Sequence, residues 1–100
     1  MMTKITRSSG NVFSDLAFGD EEAEHLQIRS TLMIAVNNII SDRQLTQVDA
    51  AKLFGVSQPR ISDLVRGKIE LFSIDMLVTM LSRAGVHVTV ALSPARQGAA

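Results

Sequence analysis

The chain has 100 residues, ten basic and ten acidic side chains, no cysteine, and 46% hydrophobic content. That length suits one globular domain and is too short for two independent cores. The missing cysteine excludes disulfides, thiolate metal sites and thiol nucleophiles. Zero formal net charge, with a pI near 6.7, argues against a protein held on nucleic acid by bulk charge alone. No apolar run approaches the roughly 18 residues of a membrane span. No signal peptide is expected ahead of the domain, so a cytoplasmic location fits.

Residues 1–11, MMTKITRSSGN, are polar, rich in Ser and Gly, and without period, which predicts a flexible N-terminal arm. The domain proper is expected over residues 12–93, with a tail at 94–100. Val12, Phe13, Leu16 and Phe18 form a small apolar cluster expected to dock on the core. Asp20 is the expected cap of a long first helix reaching about Asp42, with Glu21 and Glu22 at the positive end of its dipole. Ile28, Leu32, Ala35, Val36 and Ile39 recur at helical spacing along it.

A turn at Asp42-Arg43-Gln44 leads to Thr46, a good N-cap for a second helix, with Asp49 three residues on. Val48, Ala51 and Phe54 are expected to line its inner face, and Gly55 can take the left-handed conformation that ends it. Ser57 caps a third helix, where Pro59 is tolerated because first-turn amides lack intrahelical partners. Ile61, Leu64 and Val65 are expected inward, leaving Gln58, Arg60, Ser62, Asp63 and Arg66 outward.

A fourth helix follows in FSIDMLVTMLSRAG, capped by Ser73, stapled by Phe72 and Leu77, and ended by Gly85. The period then changes from about 3.6 to 2: Val86, Val88, Val90 and Leu92 alternate with His87, Thr89 and Ala91, predicting a strand over residues 86–92. One strand in a helical chain needs a partner edge. The simplest is the same strand of a second copy about a two-fold axis, which predicts a homodimer with those four apolar residues in its interface.

Two capped helices joined at a glycine, the second polar at its start, make the helix-turn-helix pattern, and Thr46, Ala51, Gly55, Ile61 and Leu64 fall at its spacing. In that unit the second helix enters the major groove, where Arg pairs with guanine and Gln with adenine. The stretch from Leu45 to Lys68 carries Lys52, Arg60, Arg66 and Lys68 against Asp49 and Asp63, so it is locally basic within a neutral chain.

The stretch LTQVDAAKLFGVSQPRISDLVRGK resembles the phage-repressor and Cro-like (XRE) helix-turn-helix family, and the likeness continues through FSIDMLVTMLSRAG. The wider layout is similar to small HigA-like antitoxins. The resemblance implies an all-α repressor-like domain of four or five helices that binds double-stranded DNA. By it, Gln47 matches a phosphate-contacting position, and Gln58, Pro59, Arg60, Ser62 and Asp63 match base-facing positions of the recognition helix. Ser57, Arg66 and Lys68 complete the expected DNA-binding set, with Lys52 a further candidate for phosphate. Pro59 replaces a side chain able to donate to a base, and the neutral pI implies reliance on dimerisation.

The function expected is a homodimeric, sequence-specific regulator, a repressor on an inverted-repeat operator. The alternative is an antitoxin module that neutralises a toxin ribonuclease and represses its own operon. No metal or cofactor is expected: His25 and His87 are isolated, and Asp20, Glu21 and Glu22 read as a helix start. No nucleophile triad, phosphate loop or zinc spacing appears, so an enzyme is not expected.

Overall fold

The computed structural model describes residues 20–94. The arm at 1–11, the apolar cluster of Val12, Phe13, Leu16 and Phe18, and the tail from 95 lie outside the described residues. Four α-helices follow in order: α1 (Asp20–Asp42), α2 (Gln47–Phe54), α3 (Gln58–Val65) and α4 (Ile74–Arg83), with a single-turn 3-10 helix at Ile69–Leu71 between the last two. The all-α expectation holds for these residues, and α1 packs mainly along α4 while α2 packs on α3.

Each short helix starts where its cap sits. The hydroxyls of Thr46 and Ser73 accept from the backbone N–H of Asp49 and Met76 at 3.0 Å, and that of Ser57 accepts from Arg60 N–H at 3.3 Å. One first-turn donor per helix is thereby satisfied. Asp20 is itself the first helical residue of α1, with Glu21 and Glu22 behind it. The turn after α1 closes at Gln44, which takes φ 53 and donates its N–H to Ser41 O at 3.1 Å.

The core is a layer of apolar side chains from all four helices. Val36, Phe54, Ile61, Leu64, Phe72, Leu77, Met80 and Leu81 are its largest fully buried members. Burying each is worth about 1.5–3 kcal/mol. Phe72 and Leu77, just before and inside the start of α4, are both sealed in this layer, as the staple requires. Of the stripe read on α1, Leu32 and Val36 are buried, and Ile28, Ala35 and Ile39 pack at its rim.

Two inward expectations fail, for one geometric reason. Val48 is 44% exposed and Val65 49%. At roughly 100° per residue, Val48 lies more than a quarter turn from the centre of the face that Ala50, Ala51 and Phe54 bury. Val65 sits on the flank of the face set by Ile61 and Leu64. Eight-residue helices bury two or three side chains here, and the next apolar residue falls outside.

The strand expected over residues 86–92 is not formed: residues 86–94 have no regular secondary structure, and there is no strand among the described residues. A strand is defined by its ladder, and the described part of a single chain supplies no second edge. Val86 donates its N–H to Leu81 O at 2.9 Å and, like Val88, packs partly on the core. Val90 and Leu92 are 77% and 92% exposed.

Candidate nucleic-acid interface

The turn between α2 and α3 fixes the angle at which α3 is presented. Ala51 O accepts from both Gly55 N–H at 2.9 Å and Val56 N–H at 3.0 Å, closing α2. Gly55 takes φ 73 and ψ 35, a left-handed conformation that costs an L-residue about 1–2 kcal/mol. A Cβ there would also stand 2.7 Å from Cδ and 2.8 Å from Nε of Arg83, whose side chain crosses the turn. Gly55→Ala is therefore expected to lower stability by about 1–2 kcal/mol or slightly more. Urea unfolding checks this; an unchanged midpoint would mean the turn tolerates a side chain.

Beyond the turn, Gln58 and Pro59 are exposed in the first turn of α3, Ser62 and Asp63 are half-buried, and Arg66 is exposed at its end. Gln47, the first residue of α2, is exposed as well, as is Ser57. Pro59 occupies a position where its missing N–H leaves no helix hydrogen bond unmade. The polar side chains read from the sequence thus share the outer side of α3, with Gln47 at the neighbouring helix start. Lys52 is exposed in the last turn of α2.

Charge along this face is partly engaged. Lys68 Nζ stands 4.0 Å from an Asp63 carboxylate oxygen, with side chains 45% and 28% exposed. At that separation and exposure the pair is worth about 0–1 kcal/mol and opens readily. Asp63 therefore answers Lys68 across the end of α3 rather than Arg60 one turn back.

Arg60 differs from its neighbours. Its Nη1 donates to the backbone carbonyl of Leu71 at 3.2 Å, and its guanidinium carbon lies 5.6 Å from the centroid of the Phe72 ring. From the other side, Arg29 of α1 donates Nη1 to the carbonyl of Ile69 at 3.3 Å. Two arginines from different helices thus hold the 3-10 turn. Sequence reading missed this tether, because nothing in the spacing of Arg60 and Phe72 announces the contact. One signal was available: on a wheel centred on Ile61 and Leu64, Arg60 falls roughly 70° from the buried centre, a flank rather than the outer face.

A capped helix, a left-handed glycine turn and a second capped helix with exposed polar residues at its start define a helix-turn-helix domain. The comparisons agree: the family model described as "Helix-turn-helix domain" matches residues 12–93. A solved structure whose name places it among XRE family transcriptional regulators shares 32% sequence identity with a TM-score of 0.70, covering 79% of this chain and 89% of that one. No curated protein sequence matches the chain. The chain belongs to the XRE family of helix-turn-helix DNA-binding regulators.

Proposed function

We propose that the protein is a homodimeric repressor that reads an inverted-repeat operator through α3. The observation carrying this reading is the exposed polar start of α3, held at a fixed angle by the Gly55 turn. Gln58 is placed to pair with a base edge, adenine being its best match. Ser62 lies beside it, while Gln47, Ser57, Arg66 and Lys68 serve phosphates, with Lys68 leaving Asp63 to do so. Asp63 then accepts from a base amine or orients a neighbour. Pro59 offers only apolar contact, so discrimination rests on few side chains and the second half-site matters.

The dimer follows from residues 86–92. Their apolar alternation is that of a strand, and Val90 and Leu92 stand in water. Pairing with a second copy, antiparallel about the two-fold axis, covers them and gives the backbone a ladder. It also sets the two α3 helices about 34–36 Å apart, one turn of duplex.

Selection from a pool of random duplexes tests the proposal. Enrichment of an inverted repeat with half-sites about one turn apart is expected; failure to enrich any duplex, or enrichment of a single half-site, contradicts it. Val88→Pro removes a ladder donor and fixes φ. It is expected to give a monomer that keeps its helices and binds the full site about 10²–10⁴-fold more weakly, the loss of linked half-sites. Sedimentation alongside DNA titration measures both. A variant that stays dimeric would move the interface elsewhere.

A further inference from the structure

We infer that Arg60 is a positioning residue of the reading helix, not a base-reading one: it ties the first turn of α3 to the segment entering α4, and so sets how α3 is presented to DNA. The inference rests on the DNA-reading role proposed above for α3. The guanidinium makes two contacts with the segment that enters α4. One is the carbonyl of Leu71, the last residue of the 3-10 turn, whose oxygen has no following helical N–H to donate to it. The other is the face of the Phe72 ring, which is 1% exposed and packed in the core.

Reaching a guanine would require Arg60 to give up both contacts and leave the Leu71 carbonyl without its donor. Planarity makes arginine suited to this place: the guanidinium stacks on a ring and donates in its own plane at once. Among the described residues no ion pair engages it, and Asp63 faces Lys68. The segment it holds is also gripped by Arg29 from α1. The tether thereby links the first turn of α3 through the 3-10 turn to α1 and α4. Base preference then falls to Gln58 and Ser62.

The experiment uses the full chain and three variants. Wild-type protein first enriches duplexes from a random pool, and affinities are then measured on the best duplex and on its single-base-pair substitutions, at a temperature where melting curves show every variant folded. Arg60→Met is expected to weaken binding about tenfold on every duplex with their ranking unchanged, the size of one lost charged contact. Arg60→Lys, which keeps a donor for the Leu71 carbonyl, is expected to recover part of that loss. Gln58→Ala is expected to flatten preference at one base pair. An Arg60→Met protein that loses preference at one base pair while binding the substituted duplexes as wild type does would overturn the inference and leave α3 as the reading helix. If Arg60→Met does not fold, arginine side-chain NMR on wild type decides instead. A guanidinium signal shifted by the Phe72 ring, and kept on addition of the enriched duplex, supports the tether; its move to a new position in the complex overturns it. Failure of wild type to enrich any duplex overturns the DNA reading itself, and this inference with it.

Discussion

Phe54→Ala is expected to remove about 3–5 kcal/mol, the range for deleting a buried aromatic ring. Domains of this size hold about 5–15 kcal/mol in total, so a domain at the low end of that range is left near its unfolding midpoint. Phe54 is the last residue of α2 and is fully buried. It fills the layer where α2 meets α3 and α4, directly before the Gly55 turn. An alanine there leaves a cavity that three helices cannot close together. The same change at Val48, on the same helix but 44% exposed, is expected to stay within about 0.5 kcal/mol. Urea denaturation of both variants checks the contrast. A Phe54→Ala loss below 1 kcal/mol would mean that α2 is not locked into the core.

Salt is expected to have the larger effect on binding. If a dimer on its operator makes about 6–10 phosphate contacts, affinity falls by about 10³–10⁵ between 50 and 200 mM salt, through release of counterions from the duplex. The neutral chain does not oppose this, because the slope counts contacts rather than net charge. Exposed Lys52 and Arg66, with Lys68 behind its weak pair to Asp63, are cations on or beside α3. Lys68→Ala is expected to weaken all duplexes alike and to reduce the slope by about one per contact removed. Titrations at four salt concentrations measure it; affinity that hardly moves would count against nucleic acid as the partner.

Much of the helical framework was legible in the sequence because its signals are local. Thr46, Ser57 and Ser73 each cap the helix they precede, and Gly55 adopts the positive φ that its place after Phe54 requires. These depend on a residue and its next three or four neighbours. Val48 and Val65 are apolar yet exposed, because burial on a short helix is decided by angular position about its axis and not by apolar character alone. Residues 86–92 show a second limit. Alternation is written in the chain, but a ladder is made between two edges, and the second edge is not among the described residues. At the candidate site, the exposed start of α3 was readable from cap and period. The tether of Arg60 was not, since Phe72 reaches it only once the 3-10 turn has brought the chain back.

The proposed DNA-binding surface is the first turn of α3, with the start of α2 beside it. The most direct measurement is an amide NMR titration of the folded protein with a duplex it has enriched. The largest shifts are expected at Gln47, Gln58 and Arg60 through Ser62, with smaller ones at Arg66 and Lys68, and little change on the outer face of α1 around Ile34. Shifts concentrated on α1 or along α4, with α3 unmoved, would contradict it.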